Sequence, residues 1–188
     1  MNFNGTSQSE DKSNSATETN ITLNPIGIIR NNTTKPVLFA DEKGLRINGD
    51  NKAAIENFHE VHEGISEIVI KDELSELLEG IEDYSHLIII YWGHGITKEG
   101  RSLKRVHPMG MQKNPLTGVY STCSPARPNP VLMTVVRLQK REGNVLTVSG
   151  LDAIDKSPVI DIKPYVSKFY PQDDIKIPNW MQKIIEEY

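Results

Sequence analysis

Residues 121–131, STCSPARPNPV, set three prolines within six positions and place Arg127 and Asn129 between them. A proline fixes its own φ and drives the residue before it into extended geometry, so Ser124, Arg127 and Asn129 are all biased towards β or polyproline conformations. Polar side chains on so stiff a backbone have little freedom left to lose on binding. The same pattern also suits a rigid surface connection between two strands. Further along, VIDIKPY at 159–165 alternates, with Ile160 and Ile162 facing one way and Asp161 and Lys163 the other. A carboxylate on a strand face can accept a proton, or it can be half of an ordinary surface ion pair. Asp152, Asp155 and Asp161 raise two-carboxylate hydrolysis, but Asp152 and Asp155 read more simply as organising the turn into that last strand. Cys123, the single cysteine, would be a nucleophile only beside a base, and the sequence identifies none. The histidines include His59 and His62 three apart, His86 and His94 flanking an apolar run, and His107. No cysteine or carboxylate completes a ligand spacing with them, so no metal is expected.

The elements that must position these residues read mainly as strands. PIGIIR at 25–30, EIVI at 67–70, LIIIYW at 87–92 and GVYSTC at 118–123 are short, β-branched or aromatic, and bounded by Gly, Pro or charge. Residues 131–151 predict a β-hairpin turning near Gly143, and 159–165 a final strand. Two helices are expected. One lies near 72–80, with Leu74, Leu77, Leu78 and Ile81 as an apolar stripe; the other lies near 179–187, with Trp180, Met181, Ile184 and Ile185 inward. Many strands with hairpin connections and few helices predict a mainly β fold, an antiparallel β-barrel or sandwich rather than a βαβ sheet.

A chain of 188 residues is long enough for one domain with a real core. Residues 1–24 are Ser, Asn and Thr with scattered charge and too few apolar residues to offset ordering entropy, so a disordered tail is expected before a single domain over 25–188. No apolar run has signal-peptide or membrane-span length, and a soluble, cytoplasmic protein with no membrane partner is expected. Net charge is −4, but it is unevenly spread: Lys98 to Arg141 holds nine basic residues against one acidic, while Pro25 to Thr97 holds six against thirteen. That asymmetry suits an anion-facing surface on an otherwise acidic protein. The usual nucleotide fingerprints are absent: there is no Walker loop and no strand–Gly-rich–helix unit, and the two glycines of WGHGI at 92–96 match a phosphate loop only weakly.

Three stretches, IEDYSHLIIIYWGHG, GVYSTCSPARPNP and GLDAIDKSPVIDIKPY, fall in the order and near the spacing of the TsaA-like family, of tRNA methyltransferase O type. With PIGIIR the resemblance covers about residues 25–170. It implies an S-adenosylmethionine-dependent methyltransferase on an antiparallel β-barrel, usually a homodimer. The implied acceptor is the exocyclic amine of a threonylcarbamoylated adenosine just 3′ of a tRNA anticodon. Six positions at three sites depart from the family pattern. Cys123 stands where the family has Arg, Val131, Leu132 and Met133 replace a small Gly- and Ser-containing continuation, and Lys156 and Ser157 replace Gly and Thr.

Under that resemblance the residues take roles. Ser124, Pro128, Asn129 and Asp152 would hold the cofactor, with Arg127 meeting a carboxylate or phosphate. A carbamoylated adenine amine is a poor nucleophile with a relatively acidic N–H, so a proton acceptor helps, and Asp161 is the first candidate, with Lys163 beside it. Tyr165, like Tyr120, could stack a base or close the core as a lid. Arg101, Lys104 and Arg105 would contact the RNA backbone through charge alone. Two other readings stay open: a non-catalytic S-adenosylmethionine- or RNA-binding protein, and a methyltransferase acting on a small-molecule or protein amine.

Overall fold

The structure, a computed structural model, describes residues 21–41, 44–47 and 64–187. Most of the tail expected at 1–24 lies outside them, as do His59 and His62. Ten strands run through the described residues: β1 Gly27–Arg30, β2 Leu38–Asp41, β3 Gly44–Ile47, β4 Ile65–Ile70, β5 His86–Trp92, β6 Arg105–Val106, β7 Thr117–Gly118, β8 Val131–Glu142, β9 Val145–Ser149 and β10 Pro158–Pro164. Six of them close an antiparallel barrel in the order β1-β10-β5-β8-β9-β4, with β4 pairing back to β1. The expected β-barrel is therefore the fold. β2–β3 and β6–β7 form two small hairpin-like sheets outside it.

Period-two alternation builds the barrel interior. Leu87, Ile89 and Tyr91 of β5, Leu146 and Val148 of β9, and Ile68 and Ile70 of β4 turn inward and are almost wholly buried. β1 passes so close to β4 that a Cβ on Gly27 would overlap the carbonyl oxygen of Val69. The β8–β9 hairpin turns at Gly143, which has φ 61°, as its sequence predicts. Ala126, Ala40, Leu45 and Val106 form a second, smaller core that ties the Pro-rich segment and β6 to the β2–β3 hairpin.

Four local expectations are corrected. GVYSTC is not a strand: after the two residues of β7 the chain makes a 3₁₀ turn over Val119–Ser121, where the Thr122 hydroxyl donates to the Val119 carbonyl at 2.8 Å and replaces ladder pairing. The stretch at 72–80 is a 3₁₀ helix, Asp72–Leu78, whose three-residue turn buries Leu78 and leaves Leu77 exposed. In the C-terminal helix, Asn179–Glu187, Ile185 is exposed while Trp180, Met181 and Ile184 are half-buried. In β10 a bulge between Val159 and Asp161 breaks the alternation, so Val159 and Ile162 pack on the core while Ile160 faces an outer cleft with Trp92.

Lys156, at a position where the family resemblance has glycine, has φ 64°, with an exposed side chain and its N–H donating to the Ile29 carbonyl at 2.8 Å. A left-handed conformation costs a residue with a Cβ about 1–2 kcal/mol, partly offset by the greater unfolded freedom of glycine. Lys156→Gly is expected to raise Tm by roughly 2–4 °C, from a net gain of about 1 kcal/mol, in a thermal melt.

Candidate functional site

Three separated stretches meet at one end of the barrel. The end of β5 and the turn after it supply Tyr91, Gly93 and Gly95, the Pro-rich segment supplies Cys123 and Pro125, and the connection from β9 to β10 supplies Asp152, Ile154 and Ser157. Between them lies a cleft of about 270 Å³, its walls completed by apolar side chains such as Ile96 and Leu132. Gly93 sits on its floor, where a Cβ would press on Leu132, Ile96 and Pro130 at 3.2–3.4 Å.

The polar centre of the cleft is Asp152. Tyr91 and Thr134 both occupy inward-facing barrel positions, and both hydroxyls donate to the same carboxylate oxygen, Oδ1; the Tyr91 bond measures 2.7 Å. Among the described residues Oδ2 of Asp152 has no partner, and the residue is exposed towards solvent. Tyr91 is 2% exposed. Its phenol is pushed well above the usual tyrosine range, first by burial and then by the charge of Asp152, so it remains a donor throughout the neutral range.

The connection carrying Asp152 is braced from below. Asn31, just after β1, accepts the Thr33 N–H at 3.0 Å and donates through Nδ2 to the Ala153 carbonyl at 2.8 Å and to the buried Ser66 hydroxyl at 3.1 Å. Its own N–H donates to Asp155 Oδ1 at 3.2 Å. Asp155 thus organises the turn, as its spacing suggests. Ser157, also buried, lies 3.3 Å from Nδ1 of His94.

The Pro-rich segment runs at the surface but is anchored: Ser124, Ala126 and Pro130 are buried, while Ser121, Cys123 and Val131 are exposed. It is held by its own polar groups. Arg127 donates from Nε to the Ser124 carbonyl at 2.8 Å and from Nη2 to the Thr122 carbonyl at 2.7 Å, while Ser124 Oγ accepts the Ala126 N–H at 3.2 Å. Pro128 and Asn129 are exposed, and Asn129 opens onto a neighbouring cleft with Trp92, Val131 and Ile160. Of the residues assigned to a cofactor from sequence, Asp152 alone lines the cleft described above.

Asp161 lies elsewhere, on the rim of a third cleft with Leu77, Tyr84 and Ile162. Its Oδ1 accepts the Ile162 N–H at 2.9 Å and its Oδ2 pairs with the Lys163 ammonium at 2.7 Å, which holds that lysine above its usual range. Tyr165 stacks on Tyr170 at 5.3 Å between centroids and meets His86 edge-on. In the basic stretch, Arg101 donates to the Ile96 carbonyl at 3.1 Å and covers the Trp92 ring, Arg105 donates to the Leu116 carbonyl at 3.0 Å, and Lys104 is exposed. No group of three or more potential metal ligands, and no helix long and apolar enough to cross a membrane, occurs among the described residues.

Tyr91, Thr134, Gly93 and Gly95 are site residues that the motif reading passed over. The signal was present: a tyrosine and a threonine at core-parity positions of β5 and β8 need polar partners, and two glycines follow directly on a buried strand.

Residues 52–170 match the family described as the tRNA-methyltransferase O N-terminal domain. A probable S-adenosyl-L-methionine-binding protein of Pyrococcus abyssi is 35% identical over 167 residues, covering 89% of this chain and 79% of that relative. A mouse (Mus musculus) tRNA (adenine(37)-N6)-methyltransferase is 36% identical over 111 residues, 58% of this chain and 25% of that protein. The crystal structure of TrmO from Pseudomonas aeruginosa superposes with a TM-score of 0.60 at 25% identity, covering 86% of this chain. The chain spans 62% of the length of that structure. By sequence and by barrel, the chain belongs to the tRNA-methyltransferase O N-terminal domain family.

Proposed function

We propose that this chain binds S-adenosylmethionine in the Asp152 cleft and transfers its methyl group to tRNA, at the exocyclic amine of a threonylcarbamoylated adenosine beside the anticodon. One observation carries the reading: the three stretches that bear the family resemblance converge on a single cleft. The donor set fits the cofactor. Asp152 offers a free carboxylate oxygen to an ammonium or ribose hydroxyl, and the apolar walls suit an adenine ring and a sulfur chain while excluding water. When bound, S-adenosylmethionine supplies a methyl group already activated by its sulfonium.

The chain's own residues supply placement. In this reading Ser124 and Arg127 act through the shape of the Pro-rich segment, and Pro128 and Asn129 border the ligand from the neighbouring cleft. Asp161, paired with Lys163 on a cleft apart from Asp152, would accept the proton of the acceptor amine where the homodimer sets it against the partner's Asp152 cleft, and Tyr165 with Tyr170 offers a stacked aromatic platform to a base. Arg101, Lys104 and Arg105 meet phosphates. A homodimer in the cytoplasm completes the proposal; the exposed Val131, Met133 and Val135 on the outward face of β8 support the dimer.

Purified protein titrated calorimetrically with S-adenosylmethionine and its demethylated product is expected to bind both without added metal. Incubation with threonylcarbamoyl-modified tRNA should then add one methyl to the modified adenosine, read by nucleoside mass spectrometry. Binding without methyl transfer to any nucleoside would overturn the tRNA reading in favour of a sensing or RNA-binding protein or a methyltransferase of a small-molecule or protein amine. Asp161→Asn should keep cofactor affinity and lower the single-turnover rate at least about tenfold. A normal rate in the folded variant retires Asp161 as the base.

A further inference from the structure

We infer that Tyr91 and Thr134 are a pair of positioning residues: by donating both hydroxyls to one oxygen of Asp152, they turn its other oxygen into the acceptor that reads a hydrogen-bond donor of the bound ligand. The inference rests on the cofactor reading above and adds how the carboxylate is aimed.

The barrel interior is built by alternation, and its inward positions on β8 run Leu132, Thr134, Val136 and Leu138. A threonine in that row, opposite Ile89 of β5, interrupts an apolar column with a hydroxyl. Tyr91, opposite Leu132 and Val159, brings a phenol into the same end of the barrel at 2% exposure. The buried Tyr91 phenol would be costly without a partner, and the half-buried Thr134 hydroxyl finds none on its own strand, because the backbone groups of both strands are committed to the barrel ladder. Both hydroxyls instead converge on Oδ1 of Asp152, and they lie 3.5 Å from each other.

A carboxylate has acceptor sites on both oxygens. Two donors on Oδ1, from two different strands, leave the plane of the group little rotational freedom and leave Oδ2 as the remaining acceptor. No lysine, arginine or histidine forms an ion pair with Asp152 among the described residues, so no cation competes for that oxygen. The cleft that Asp152 lines is otherwise apolar or lined by small groups, apart from the Thr33, Tyr91 and Ser157 hydroxyls and the Cys123 thiol. A ligand group that donates there meets a charged acceptor already held in place, the condition under which a hydrogen bond contributes most to affinity.

The test uses the full chain and S-adenosylmethionine, with S-adenosylhomocysteine as a second probe. Thr134→Val, nearly isosteric but without the hydroxyl, and Tyr91→Phe are each expected to lower affinity for both compounds by about three- to tenfold. Thr134→Ser, which restores the donor, should bind as the wild type does. In an Asp152→Ala background neither change should lower affinity further, because no carboxylate remains to be aimed. Equal losses with and without Asp152, or a Thr134→Ser variant as weak as Thr134→Val, would show that the residues act by packing and would overturn the inference. A loss seen for S-adenosylmethionine alone would also overturn it, since the donors are common to both compounds and the sulfonium charge is not. Wild-type protein that binds neither compound would overturn the cofactor reading and this inference together, whereas normal wild-type binding with unaffected variants would overturn the inference alone.

Discussion

Asp152→Asn is expected to weaken S-adenosylmethionine binding by about 10–100-fold while leaving Tm nearly unchanged, because a hydrogen bond to a charged group is worth about 1.5–3 kcal/mol. The asymmetry follows from the way the carboxylate is held. An asparagine amide has the same shape, and its carbonyl oxygen can take the place of Oδ1 and go on accepting from Tyr91 and Thr134. The turn therefore keeps its internal bonds. What changes is the other atom: Oδ2, the acceptor without a partner among the described residues, becomes an NH₂ group that would confront a ligand's donor with another donor. Calorimetry and a thermal melt on the same sample separate the two effects. A matching fall in Tm with little loss of affinity would mean that Asp152 serves the turn and not a ligand.

Arg127→Ala is expected to show the opposite balance. In the structure the guanidinium spans two carbonyls of its own segment, Ser124 and Thr122, and both sites are partly buried. Removing it leaves two acceptors to find other partners, at a cost of about 1–3 kcal/mol, or a Tm lower by several degrees. Arg127→Lys is expected to recover little of this, since a single ammonium cannot reproduce the planar fork that bridges two oxygens. Ligand affinity should fall only as far as the segment loosens around Cys123 and Pro125. If Arg127 instead meets an anionic ligand group, Arg127→Ala will lose affinity with Tm unchanged. The two measurements decide whether the arginine braces the site or touches the ligand.

Much of the barrel was legible before any coordinates. LIIIYW, the 131–151 hairpin and VIDIKPY each carry β-branched residues between turn signals, and together they form the four barrel strands β5, β8, β9 and β10. The errors fall where local pattern was overruled by local hydrogen bonding or by one extra residue. Thr122 capped a 3₁₀ turn where a strand was expected, and the bulge at Ile160 reversed the facing of half of β10. A bulge leaves no compositional trace, so nothing in VIDIKPY distinguishes a strand that keeps its alternation from one that slips by a residue.

The sequence by itself determined the family, the class of fold and the three segments that matter, because a motif is a property of residue order and survives without coordinates. It also marked Asp152, Asp155 and the stiffness of the Pro-rich segment. Only the tertiary structure decided how those segments are used. It brought Tyr91 and Thr134, 43 residues apart, within reach of one oxygen of Asp152. It turned Arg127 back onto its own backbone, and it placed Asp161 and Asn129 on clefts separate from Asp152. The physical reason is that a side chain's partner depends on direction and distance after the barrel closes. Alternation says which face a residue takes, whereas closure and register say which residue it meets there.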